Sequence, residues 1–146
     1  MKELISSGLE ALGLTGSVPP DAAEKLAEYG RLLLEKNQVM NLTAIRDEAG
    51  VARLHMLDCA ALLPCADLTG ARTLLDVGTG AGFPGLPLKI LLPQLDVTLL
   101  DSLNKRVDWL NEVSAQLGLT GVRAIQGRAE EKALEKSMRD SFDLVT

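Results

Sequence analysis

Two periodicities divide the chain. Up to about residue 65 the apolar residues recur at helical spacing, and from residue 72 short apolar runs alternate with amphipathic stretches. Leu4, Ile5, Leu9 and Leu12 share one helical face, and Gly13 or Gly16 ends that run. Pro19-Pro20-Asp21 opens a second helix, with an apolar stripe of Leu26, Tyr29, Leu33 and Leu34. The segment Asn41 to Arg46 breaks the pattern and reads as a structured loop. Asp47 is placed to cap a third helix with the stripe Val51, Leu54, Leu57 and Ala61, and Pro64 is expected to end it. Beyond it, strands are predicted at about 72–77, 96–101, 121–126 and 142–146, with helices beginning near Pro84, Leu103 and Ala129. Alternation of this kind specifies an α/β fold with a parallel sheet and right-handed crossovers. Residues 1–68 are expected to form a helical extension packed on the sheet domain that begins at 69. Phe142 to Thr146 reads as a fourth strand at the chain's end, and a doubly wound sheet continues past that point. The expectation is therefore a fragment, truncated after the fourth strand, whose uncovered edge promotes self-association.

The densest chemical signal is Asp76-Val77-Gly78-Thr79-Gly80-Ala81-Gly82-Phe83-Pro84-Gly85, a strand end running into a glycine-rich turn and then a helix. Asp101 closes the next apolar run, Val97 to Leu100. Strand, glycine turn, helix and a second strand ending in a carboxylate make half of a nucleotide-cofactor site in a Rossmann-like sheet. Gly80 to Gly85 fits GxGxxG, the dinucleotide pattern, but Pro84 and Pro87 remove backbone donors that a pyrophosphate needs. Asp76 would also stand close to the phosphates and repel them. S-adenosylmethionine has no phosphate and carries cationic ammonium and sulfonium groups, so it suits a carboxylate at the first strand's end. A tight turn with no ligand is the plainer alternative.

Composition narrows the class. The 146 residues carry a net charge of −5, a poor match to a general nucleic-acid binder, which shows a basic footprint. No apolar run reaches the ~18 residues of a membrane span, and the first residues lack a signal-like core, so a cytoplasmic protein without membrane contact is expected. Cys59 and Cys65 lack metal-ligand spacing and are read as reduced, partly buried thiols.

Taken together, Asn41-Leu42-Thr43-Ala44-Ile45-Arg46-Asp47, His55-x-x-Asp58, Asp76 to Gly85, Leu100-Asp101-Ser102 with Lys105-Arg106, Gly127-Arg128-Ala129-Glu130 and Phe142 to Thr146 resemble the RsmG family. That family, also called glucose-inhibited division protein B, comprises bacterial class I methyltransferases that modify N7 of a guanine in 16S ribosomal RNA. The resemblance spans nearly the whole chain and implies S-adenosyl-L-methionine as cofactor and the RNA, or the small ribosomal subunit, as partner. It implies cofactor contacts at Gly78, Thr79, Gly80 and Phe83 in the glycine turn. Asp101, Ser102 and Leu103 would surround ribose and adenine, and Ala129 and Glu130 would border the adenine edge. The family continues past the fourth strand with an Arg-Ala segment that this chain lacks.

Guanine N7 has a free lone pair and no proton, so the reaction needs no general base and no catalytic residue is named. His55, the only histidine, lies one turn before Asp58 and is expected to orient the Asn41–Arg46 loop. RNA contacts must come from local cations: Arg46 and Arg128 first, then Lys89, Lys105, Arg106 and Arg123. Trp109, beside Val107 and Leu110, is expected in the core. A methyltransferase acting on a small molecule or protein, and an inactive cofactor-binding remnant, remain as alternatives.

Overall fold

A computed structural model of the chain describes residues 1–65, 68, 70–135, 138 and 140–146. The expected division between residues 68 and 69 touches Thr69, which lies outside the described residues. Four parallel strands, β1 (Thr73–Val77), β2 (Asp96–Asp101), β3 (Val122–Gln126) and β4 (Leu144–Val145), form one sheet in the order β3-β2-β1-β4. All four lie within the predicted ranges. β4 is shorter than expected, and Val145 on the sheet's edge is 64% exposed. β2 sits between two neighbours, and Val97 through Asp101 are all buried. That burial is why its sequence is a continuous apolar run and not an alternation.

The first three strands step across the sheet in one direction. Right-handed crossovers therefore put their connecting helices, α6 (Gly85–Leu91) and α7 (Asn104–Gln116), on the same face. The N-terminal helices α1 (Lys2–Ala11) and α2 (Ala22–Asn37) cover that face, with α2 against α6 and its Tyr29 ring 6.3 Å from Trp109 of α7. Ile5, Leu9, Leu26 and Leu33 are buried in the same apolar cluster as Leu74, Leu86, Val97, Leu99 and Leu110. Burying a leucine-sized side chain contributes about 1.5–3 kcal/mol, so these helices and the sheet share one source of stability. Trp109 is buried with them, as expected.

The third predicted helix is where the pattern misleads. Asp47 caps it as expected, its carboxylate accepting from the Gly50 amide at 2.7 Å. The chain then runs from α3 (Glu48–Gly50) through a π-helical segment, Val51–Leu57, into α4 (Asp58–Ala60). The wider π turn moves the inward position from every third or fourth residue to every fourth or fifth. Val51, Ala52, Met56 and Ala60 are fully buried, whereas Leu54, assigned to the stripe, is 62% exposed and Leu57 is half-buried. Pro64 does not end the helix but sits within a short α5 (Leu62–Cys65). Cys59 is buried, and burial pushes its thiol pKa up to about 12; Cys65 is exposed, contrary to expectation, and both are free.

Met56→Ala should cost about 2–5 kcal/mol of unfolding free energy by leaving a cavity, whereas Leu54→Ala should stay within about 0.5 kcal/mol. Denaturant melts of both variants check this. Equal losses would mean that the segment winds as a regular α-helix.

Candidate functional site

The glycine turn folds around Asp76. Its carboxylate is buried at the end of β1, where Oδ2 accepts from the Thr79 hydroxyl at 2.6 Å and from the Gly85 amide at 2.9 Å. Oδ1 accepts from the Thr146 hydroxyl at 3.2 Å. Asp76 is thus turned into the loop it closes, its oxygens bonded to the turn and to Thr146 and not lining the cavity at the strand ends. Removal from water raises its pKa above the ordinary carboxyl range, opposed by the hydrogen bonds from Thr79, Gly85 and Thr146. The chain can pass this close only because position 85 lacks a side chain. A Cβ there would lie 2.5 Å from a Leu99 methyl and 2.8 Å from Asp76 Oδ2.

The same contacts bear on the dinucleotide reading. The Gly85 amide donates to Asp76, the Leu86 amide to the Gly82 carbonyl at 2.7 Å and the Leu88 amide to the Pro84 carbonyl at 3.1 Å. Pro87 has no amide hydrogen. The start of α6 therefore offers no free donor to a pyrophosphate, a stronger reason than the prolines alone.

At the carboxyl ends of β1, β2 and β3 lies a cavity of about 590 Å³. It brings together Gly78, Asp101, Ser102, Leu103, Ala129, Glu130 and Arg128 of the predicted residues. Gly78 has φ of 65°, and the space where its Cβ would stand is open. Asp101 is only 4% exposed. Its Oδ2 accepts from the Gly80 amide at 3.0 Å and its Oδ1 from the Leu103 amide at 3.0 Å, with Arg106 Nη1 at 3.6 Å from Oδ2. Each carboxylate oxygen keeps a lone pair for a further donor.

Sequence reasoning did not place Val77, Leu100, Arg106, Gln126 or Gly127 in the cavity wall. Gln126 was within reach, because it ends β3 opposite Asp101 as Asp101 ends β2, and its amide donates to the Ser102 carbonyl at 3.1 Å. Arg106 had been read only as an RNA cation.

Other predicted residues sit beside the cavity or away from it. Thr79 is buried, with its amide on the Leu100 carbonyl, and Gly80 meets the cavity only through Asp101. Phe83 packs between Tyr29 (centroids 5.4 Å) and His55 (4.2 Å, 7° between planes). Arg46 is exposed and lines a separate cleft with Leu34, Asn37 and Gln38. Lys89 is 3% exposed and donates to the Pro93 and Leu95 carbonyls, so it is not a surface cation for RNA; burial lowers its pKa. Arg123 is paired with Asp96 at 3.0 Å, and Lys105 is exposed. Glu130 stands in the first turn of the short α8 (Ala129–Lys132). Among the described residues no cluster has the donors to hold a metal ion, and no helix is long and apolar enough to cross a membrane.

His55 does what its position suggested. Its Nε2 is 2.8 Å from the Thr43 hydroxyl, which accepts from the Ile45 amide at 3.1 Å. Asn37 holds the same loop, accepting from the Leu42 and Thr43 amides and donating to the Thr43 carbonyl. Asp143 is also explained: it accepts from the Arg72 and Thr73 amides and so docks β4 on the start of β1. Those two amides hold its pKa below the usual range.

A family model described as rRNA small subunit methyltransferase G (GidB) matches residues 22–146. The chain belongs to that family. A protein of Clostridium perfringens named ribosomal RNA small subunit methyltransferase G is 42% identical over 144 residues, 99% of this chain and 59% of that protein. The protein of the same name from Exiguobacterium sibiricum is 49% identical over 123 residues, 84% of this chain and 52% of its own length. The chain thus spans just over half the length of these relatives. Among solved structures, the YcgJ protein from Bacillus subtilis is similar with a TM-score of 0.51 and 25% identity, over 62% of this chain and 37% of that one.

Asp76 supplies a test by titration. Its folded pKa is raised, so the folded state holds a proton that the unfolded state releases first. That contribution to stability is present below the unfolded carboxyl pKa and is lost as pH rises through the folded value. Asp76→Asn should therefore flatten the decline of unfolding free energy between the ordinary carboxyl range and that raised value. Parallel pH slopes for the two proteins would exclude Asp76 as the source.

Proposed function

We propose that the cavity holds S-adenosyl-L-methionine and that the chain carries the cofactor-binding part of an enzyme placing a methyl on N7 of a guanine in 16S ribosomal RNA. One observation carries the reading. A strand-end carboxylate, an open glycine and an exposed apolar rim converge in a cavity whose neighbouring helix has no donors for phosphate. The volume is within the range of small-ligand sites. Asp101 is placed to accept from both ribose hydroxyls while its own position is held by the Gly80 and Leu103 amides. Leu103, 50% exposed at the rim, offers an apolar surface to a purine ring. Ser102, Ala129 and Glu130 close the same end, and Gly78 lets the backbone approach. Thr79, Gly80 and Phe83 act by shaping the turn. In this reading residues 1–68 are a helical extension on the sheet and residues 69–146 the first part of the cofactor domain, in the cytoplasm.

When bound, S-adenosylmethionine supplies an electrophilic methyl group. Guanine N7 has a lone pair and no proton to lose, so the chain need move no proton. Its residues orient the reactants and exclude water, the two sources of rate that such a transfer requires. Arg128 at the cavity and Arg46 on its loop are the cations assigned to RNA phosphates, which position the RNA without reading its sequence.

Calorimetry should show binding of S-adenosylmethionine and none of NAD. Asp101→Ala should weaken binding by about 1.5–3 kcal/mol, the range for a lost hydrogen bond to a charged group, and Asp101→Asn by less. Binding of NAD alone would overturn the cofactor assignment. Incubation with undermethylated small-subunit RNA should yield 7-methylguanine in digests. Binding without transfer to RNA would favour a cofactor-binding remnant, and transfer only to small molecules or protein would overturn the RNA assignment.

A further inference from the structure

The loop Asn41 to Arg46 and the glycine turn are far apart in sequence, yet an unbroken chain of contacts joins them. Asn37 grips the backbone of Leu42 and Thr43. The Thr43 hydroxyl meets His55 Nε2 at 2.8 Å. The His55 ring lies nearly parallel on Phe83, the residue that leaves the turn. The Phe83 amide donates back to the Thr79 carbonyl at 3.2 Å, and the other ring neighbour of Phe83, Tyr29, donates to the Ala81 carbonyl. The turn's Gly80 amide then reaches Asp101. His55 is the single side chain in this series that touches both the loop and the turn.

Its half-buried place in the π-helical segment makes that double contact possible. Phe83 packs against His55 with a large flat contact, and such pairs contribute beyond their area alone. The edge of the His55 ring thus holds the loop through Thr43, while its face packs on Phe83. Burial lowers the His55 pKa, with Asp58 opposing, which keeps the imidazole neutral against the aromatic face.

We propose that His55 is a positioning residue that fixes the Asn41–Arg46 loop against the glycine turn, so that the loop's arginine and the cavity keep one relative placement. Its effect on methyl transfer rests on the function proposed above; its effect on the turn does not.

The test therefore has a ligand-free arm and a kinetic arm. In the ¹⁵N-labelled chain without ligand, His55→Ala should shift the amide resonances of Thr43 and Ile45 and also those of Gly80 to Phe83. His55→Phe retains the stack and loses the hydrogen bond, so it should shift the loop and leave the turn near its wild-type resonances. In the transfer assay His55→Ala should lower kcat by about tenfold or more, within the roughly hundredfold that a 1 Å misplacement can cost, with the cofactor KM changed less than about threefold. His55→Phe, which keeps the stack but not the bond to the loop, should lose kcat as His55→Ala does, and Thr43→Ala combined with His55→Ala should be no slower than His55→Ala alone. Turn resonances unmoved in a folded His55→Ala protein would overturn the proposal whatever the ligand. Turn resonances that shift as expected while the wild-type chain binds no S-adenosylmethionine would leave the coupling standing and overturn the proposed function.

Discussion

The geometry of the site depends on one buried carboxylate. Asp76 gathers a hydroxyl from the glycine turn, the first amide of α6 and a hydroxyl from the residue after β4. Those three come from different parts of the chain, so one side chain registers β1, the turn, the helix and the fourth strand against each other. Hydrogen bonds to an ionised group contribute about 1.5–3 kcal/mol each, which offsets only part of the cost of removing the charge from water, since the pKa stays raised. The need for space at Gly85 follows directly, because the helix must start within hydrogen-bonding distance of that carboxylate. With the turn closed in this way, its outer side, Gly78 and Gly80, is left to face Asp101 and the cavity.

A second carboxylate has the complementary task. Asp101 is as buried as Asp76 but stands in the cavity wall, and the amides that hold it come from the segments on either side of the opening. Two acidic strand ends that look alike in sequence thus divide the work: one holds the scaffold together and the other borders the pocket. Arg106 sits beside the second and not the first, which balances the charge where the cavity opens.

The aromatic residues are few, and most of them form one ladder. Trp109, Tyr29, Phe83 and His55 run from α7 through α2 and the turn to the π-helical segment. In a chain with 3% aromatic content this concentrates stiff packing surface between the N-terminal helices and the cofactor-side turn. The helices therefore cover apolar area and also brace the turn from behind.

Much of this was legible in the residues. The cavity group of Gly78, Asp101, Ser102, Leu103, Ala129 and Glu130 was implied by the family resemblance, Asp101 also by its place at a strand end, whereas the four strands, the start of α2 after Asp21, the cap at Asp47 and the core place of Trp109 follow from periodicity and turn chemistry. Those signals are local, and local backbone preference carries them. What tertiary structure alone decided are matters of direction. Periodicity of 3.6 cannot foresee a π turn, because that winding depends on packing against α1 and α2, so Leu54 faces outward and Met56 inward. A carboxylate at a strand end is equally able to face a ligand or its own loop, and only the donors gathered at Asp76 settle which. Lys89 carries a surface residue's charge, yet the carbonyls of Pro93 and Leu95, brought beneath it by the turn after α6, satisfy its ammonium in the interior. Sequence determined which elements form and in what order; the three-dimensional fold determined which polar groups find partners inside it, because those partners lie far along the chain or depend on how its segments bend.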